Sequence, residues 1–224
     1  ALQESRNIPA VKMLYLVGID DAMKKARDLG VTLSGSKEQY GLSLVLGGGE
    51  VTLLDMVSGY ATLANNGVHQ SVLPILRIED SAGEVLENYE VVIGDQVVTP
   101  DAVALISSVL SDNNARIPTF GANSSLYIPG YDVAAKTGTT NSNKDAWLIG
   151  YTPSLAVGVW SGNNNNTPMK SGGGTVAGPT WNEFMKNILP TKPKENFPTP
   201  PPINTSLAPI MRGIWAGGEF YTID

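Results

Sequence analysis

Tyr131-Asp132-Val133-Ala134-Ala135-Lys136-Thr137-Gly138-Thr139-Thr140 is a short apolar run that ends in a cation, hydroxyls and a glycine. Its length and its polar boundary predict a strand over residues 131–136. A strand tip of this composition suits an acid: the Lys136 ammonium supplies charge, and Thr137 and Thr139 supply directional donors for a carboxylate. Gly138 lets a ligand backbone approach where a β-carbon would block it. An exposed strand edge beside it could hold an extended peptide through main-chain hydrogen bonds. Lys-Thr-Gly alone is more often a solvated strand end, so its weight depends on what surrounds it.

Two further strands follow, Ala146–Tyr151 and Leu155–Trp160, joined by a turn at Thr152-Pro153-Ser154. An Asn- and Gly-rich loop, Gly162–Gly174, leads into a helix over Pro179–Leu189. Upstream the pattern is helical. Pro9 suits a first turn that continues through Val11, Leu14, Tyr15 and Leu16 to a stop at Gly18. Asp20 is expected to cap a second helix reaching Leu29 and ending at Gly30, with a polar loop from Thr32 to Tyr40. Thr52 and Asp55 form a capping-box pattern before a helix closed by Gly67. Val72–Ile78 and Gly83–Leu86 predict a hairpin, with Pro74 at a sheet edge. Thr99-Pro100-Asp101 starts another helix, running to about Leu110. Helices, then antiparallel strands, then a helix specify an α+β fold, an antiparallel sheet packed with helices. The βα rhythm of a parallel sheet is missing, and there is no internal repeat.

Composition narrows the chemistry. With 224 residues and 42% hydrophobic content the chain can bury a real core. A net charge of −6 offers nothing to nucleic acid phosphates. Cysteine is absent and His69 is the only histidine, so thiolate or histidine-rich metal sites and a Ser-His-Asp triad are disfavoured, and no cofactor is implied. A serine nucleophile here would need lysine as its base. His69, just past a helix end, fits a surface or capping role. Trp147, Trp160 and Trp181 fit the core. No apolar run approaches the roughly 20 residues that span a bilayer.

The segment Asn143-Lys144-Asp145-Ala146-Trp147-Leu148-Ile149-Gly150-Tyr151-Thr152-Pro153, taken with Lys136-Thr137-Gly138-Thr139-Thr140, closely resembles the transpeptidase domain of bifunctional (class A) penicillin-binding proteins. The likeness continues in Gly48-Gly49-Glu50-Val51-Thr52-Leu53-Leu54-Asp55-Met56, in Tyr60–Gly67, and in Gly178-Pro179-Thr180-Trp181. At the start, Ser5-Arg6-Asn7 resembles the family's Ser-x-Asn motif, and Lys136-Thr137-Gly138 its Lys-Thr-Gly motif. The resemblance covers residues 1–189, expected to be the C-terminal part of such a domain, with 190–224 a proline-rich linker or tail. No role is assigned to Trp215.

What the resemblance implies is a D,D-transpeptidase that acylates a serine with a peptidoglycan stem peptide, and that β-lactams trap as an ester. Ser5 would relay a proton, Asn7 would hold the substrate amide, and Lys136 would keep the site electropositive. Thr137 and Thr139 would bind the terminal carboxylate, close to Gly138, and the Thr139 N–H would form half of an oxyanion hole. The nucleophile motif, Ser-x-x-Lys, is expected in an upstream segment of the same protein, together with the membrane anchor, on the extracytoplasmic face. The string Ser34-Gly35-Ser36-Lys37 matches Ser-x-x-Lys but sits in a polar loop after Ser5-Arg6-Asn7, out of order and solvated. A serine β-lactamase, a β-lactam sensor, or an inactive peptidoglycan-binding relative would share the motifs. Upstream sequence and penicillin turnover separate them.

Overall fold

The computed structural model describes residues 1–90, 92–202 and 204–207. Trp215 and most of the segment after Asn204 lie outside the described residues. Helix α1 (Asn7–Val17) carries Pro9 in its first turn and stops at Gly18, whose φ of 88° suits a residue without a β-carbon. Gly18 also opens α2 (Ile19–Asp28). Asp20 is therefore not the cap: it lies in the first turn, where its charge meets the helix dipole. The polar stretch after Thr32 is only partly a loop. Ser36 and Gln39 close a reciprocal capping box that starts the one-turn helix α3 (Lys37–Tyr40).

Helix α4 (Leu53–Ala64) is capped by Thr52, which accepts the Asp55 N–H at 3.0 Å. The Asp55 carboxylate turns instead to the Thr32 N–H at 3.3 Å, so the capping box is half formed. The helix ends at Asn65, two residues before Gly67. Strand β1 (Val68–His69) pairs with β4 (Asp95–Gln96), and between them β2 (Arg77–Glu79) and β3 (Val85–Asn88) form a hairpin whose strand residues are all exposed. Its first strand starts at Arg77, with one further bond from the Tyr89 N–H to the Leu76 carbonyl at 2.9 Å, so it is shorter than alternation predicts. His69 is half buried, and its Nδ1 meets the Thr62 hydroxyl at 3.0 Å.

Helix α5 (Pro100–Ser111) begins at a Thr99 cap. A helix with no sequence expectation follows, α6 (Asn113–Phe120), capped by Asp112, which accepts the Ala115 N–H at 3.0 Å, and containing Pro118. The central sheet comprises β5 (Ala134–Thr139), β6 (Asp145–Thr152) and β7 (Leu155–Gly162), antiparallel in chain order. Helices α7 (Gly173–Val176) and α8 (Gly178–Ile188) close the described fold.

Each face of this sheet buries a core, because alternate side chains of a strand leave it on opposite sides. On one face Ala135, Ala146 and Leu148 pack with Trp181, Met185 and Leu189 around α8. On the other, Ala134 and Tyr151 pack with Leu110, Tyr60 and Leu63 of α4 and α5, and Tyr151 shares a 2.9 Å hydrogen bond with Ser107. Trp181 is fully buried and its indole N–H donates to the Val157 carbonyl at 3.0 Å, satisfying its one polar atom. Trp160 departs from the core expectation. It is 42% exposed, with its indole N–H on the Asp145 carboxylate at 3.0 Å and its ring edge-on to Trp147.

The stretch after Pro190 crosses the second face. Phe197 stands edge-to-face on Tyr151 with centroids 5.4 Å apart, and its N–H donates to Asp132 at 3.2 Å. Ser154 donates to Glu195 at 2.5 Å, and the Lys194 ammonium lies 5.9 Å from the Tyr131 ring centroid.

Candidate active site

Pairing with β6 carries β5 through the Lys-Thr-Gly segment rather than ending it at Lys136: Lys136 lies opposite Ile149, Gly138 opposite Trp147 and Thr139 opposite Ala146. Among the described residues β6 is the only strand partner of β5, which leaves its other edge unpaired. Alternation then divides the motif. Lys136 and Gly138 share the face of Ala134, while Thr137 and Thr139 share the face of Ala135.

On the first face, Lys136 Nζ donates to the Ser5 hydroxyl at 2.8 Å, across 131 positions of sequence, and to the Thr137 carbonyl at 2.8 Å. Lys136 forms no ion pair among the described residues. Burial, aided by the nearby Arg116 guanidinium, lowers its pKa from 10.5 to about 8. Such a group gives up its proton far more readily than an ordinary lysine while remaining mostly charged at neutral pH.

Ser5 is presented by a tight turn. Its N–H donates to the Leu2 carbonyl at 3.0 Å, and its φ of 56° lies in the left-handed region that non-glycine residues seldom adopt. The turn is anchored by Gln3, which is buried and donates to the Asp112 carbonyl at 2.9 Å and to the Val109 carbonyl. Thr119 donates to the Glu4 carbonyl at 3.5 Å. The α5–α6 junction therefore holds the Ser5 turn against the sheet.

Asn7 opens α1 two residues after Ser5 and is exposed, with no side-chain hydrogen bond among the described residues. Thr137 and Thr139 meet the start of α7 on the opposite face. The Thr139 hydroxyl accepts the Gly173 N–H at 2.9 Å and keeps its own proton available for a ligand. Gly138 has a packing reason of its own, since a β-carbon there would stand 3.2 Å from Trp147 Cβ. Gly173 is tighter still: a β-carbon would come within 2.3 Å of the Gly138 carbonyl oxygen.

Ser34 and Lys37 do not make a second site. Both are exposed, and Lys37 pairs with Asp20 at 2.8 Å. Three residues packed around the motif carried no sequence expectation: Gln3 and Arg116 on the Ser5–Lys136 side, and Gly173 on the Thr139 side. Only Gly173 had a signal, the run Gly172-Gly173-Gly174, which marks close backbone approach as readily as a loop.

The family profile described as the penicillin binding protein transpeptidase domain matches residues 1–186. Penicillin-binding protein 1A of Neisseria lactamica is 31% identical over 228 residues, covering 99% of this chain and 27% of that protein. Its counterpart from Neisseria flavescens is 33% identical over 191 residues, covering 83% and 23%. The chain thus spans about a quarter of the length of these curated relatives. Among solved structures, the PonA1 protein from Mycobacterium tuberculosis in complex with penicillin V superposes with a TM-score of 0.75 at 27% identity, over 90% of this chain and 58% of that one. Penicillin-binding protein 1A from Haemophilus influenzae matches in fold, with a TM-score of 0.70 at 22% identity over 89% of this chain and 35% of that one.

Proposed function

The chain belongs to the penicillin-binding protein transpeptidase family, and from that membership we propose that it is part of a serine-type D-Ala-D-Ala transpeptidase that cross-links peptidoglycan on the outer side of a bacterial membrane. In this reading a Ser-x-x-Lys serine from another segment of the same protein attacks the stem-peptide carbonyl. The terminal D-alanine leaves, and an amine of a second strand takes the acyl group. A β-lactam acylates the same serine and stays. Residues 1–189 belong to the transpeptidase domain in this proposal, and 190–224 to a tail.

One observation carries the reading: the 2.8 Å hydrogen bond from Lys136 to Ser5, made by a lysine with a lowered pKa and no ion-pair partner among the described residues. A hydroxyl coupled to an ammonium of pKa about 8 can pass a proton to a leaving amine and be resupplied, which is general acid catalysis with a pKa near the working pH. The uncompensated charge favours a substrate ending in a carboxylate. The free edge of β5 suits an extended peptide, with Thr139 offering a hydroxyl proton and Gly138 leaving the strand surface low. Asn7, exposed beside the Ser5 turn, is placed to take a substrate amide.

The test is labelling of the full-length protein with a fluorescent penicillin, followed by peptide mapping and by measurement of D-alanine release from a stem-peptide analogue. The expected product is a stable ester on a serine outside residues 1–224. Label on Ser34, or a folded protein that takes no label, defeats the proposal.

A further inference from the structure

Arg116 is 1% exposed and makes no ion pair among the described residues. Its guanidinium donates to the Leu126 carbonyl at 3.2 Å and to the Leu110 carbonyl, and its Nε–H finds no acceptor. A buried cation held by carbonyls alone is a poor way to stabilise a core, which an apolar side chain of similar length would fill at lower cost. Its location gives it another purpose. The contacts that hold the Ser5 turn lie on either side of it, at the cap of α6 and in its last turn. Gln3 donates to the carbonyl of Asp112, four residues earlier, and Thr119, three residues later, donates to the Glu4 carbonyl.

We propose that Arg116 is a positioning residue for the Ser5–Lys136 pair: it fixes the helix on which the Gln3–Ser5 segment rests and supplies, from inside the core, the positive potential in which Lys136 works. The inference rests on the transpeptidase reading of that pair. After burial, the Arg116 charge is the second cause of the lowered Lys136 pKa.

The other groups around Lys136 do not cancel that charge. Ser5 and the Thr137 carbonyl are neutral acceptors, and β6 places Ile149 opposite. Glu4 and Arg6, flanking Ser5, neutralise each other in a 2.6 Å pair. Asp112 is the acid that bears on Arg116, and its carboxylate is occupied in capping α6. An ammonium poised in this way exchanges a proton with a neighbouring hydroxyl near neutral pH, where an ordinary lysine would retain it.

The experiment measures the acylation rate of the full-length protein by a fluorescent penicillin against pH, with melting curves in parallel. In the wild type the rate falls through an alkaline limb near pH 8 as Lys136 loses its charge. Arg116→Met, matched in length, moves that limb up by about 0.5–1 pH unit and lowers the rate at pH 7 about 3- to 10-fold. Arg116→Lys keeps the limb within about 0.2 unit, because a cation remains. Arg116→Gln, which keeps an amide donor for the carbonyls but carries no charge, moves the limb up as Arg116→Met does and takes its place where that variant fails to fold. Normal acylation with a limb that moves in neither Arg116→Met nor Arg116→Gln reduces Arg116 to a core brace and overturns the inference alone. A wild-type protein that is never acylated overturns the transpeptidase reading beneath it.

Discussion

Gly173 donates its N–H to the Thr139 hydroxyl at 2.9 Å, so the start of α7 is fastened to the end of the strand that carries the Lys-Thr-Gly motif. The fastening leaves no room for a side chain. In Gly173→Ala the new carbon would stand 2.3 Å from the Gly138 oxygen and 2.5 Å from the Trp147 oxygen, and both are backbone atoms that cannot swing aside. The variant is expected to lose about 1–3 kcal/mol of stability by overpacking and to acylate more slowly. Denaturant midpoints and penicillin labelling measure both. An unshifted midpoint would show that α7 lifts off the strand at no cost.

In the proposed mechanism Ser5 and Lys136 act on one proton, so their losses should not add. Ser5→Ala and Lys136→Ala are each expected to slow acylation of the full-length protein about 10²- to 10⁴-fold, and the double variant little further. A double variant whose deficit is the product of the two single deficits would separate the residues and break the assignment.

The Lys136 charge is a cost to the fold that pH can remove. Its folded pKa of about 8 lies below the ordinary 10.5, so the penalty is complete below about pH 8 and is relieved as pH rises from 8 towards 10.5. Lys136→Met should therefore raise the melting temperature of the protein at pH 7, and the gain should shrink steadily above pH 8. A gain that is flat with pH would be a packing effect and would falsify the electrostatic account.

Phe197 closes the sheet face that carries Tyr151, and its backbone is tied to Asp132, just before β5. Phe197→Ala should cost about 1–2 kcal/mol, less than for a fully enclosed phenylalanine, because the ring is half buried. If chemical denaturation shows no change, the proline-rich stretch is not held to the sheet in solution.

The strands and the antiparallel order were legible because a buried sheet leaves alternating apolar residues between recognisable turns. Their ends were less so. Hydropathy stops the first strand at Lys136, whereas its partner β6 keeps pairing it to Thr139, a register that no local pattern contains. Helix α6 escaped notice because Asn113, Asn114 and Pro118 are poor helix formers, and only the Asp112 cap and the end at Gly121 marked it. With α6 went Arg116, a buried cation in a segment with no periodic signal. The meeting of Ser5 with Lys136 was foreseeable only through family resemblance, since spacing across 131 residues says nothing about proximity. Residue type alone assigns Trp160 to the core, but its indole is held by Asp145 at the sheet margin.

The hairpin of β2 and β3 stands with every strand residue in solvent, and its tip, Ser81-Ala82-Gly83, is held by Asp80, which accepts the Ala82 N–H at 2.8 Å and the Glu84 N–H at 2.9 Å. None of the residues that surround Ser5 and Lys136 lies on it. A short epitope or a fluorescent reporter inserted between Ser81 and Ala82 interrupts that turn but no residue of the proposed site, and gives a handle for following the protein in living cells.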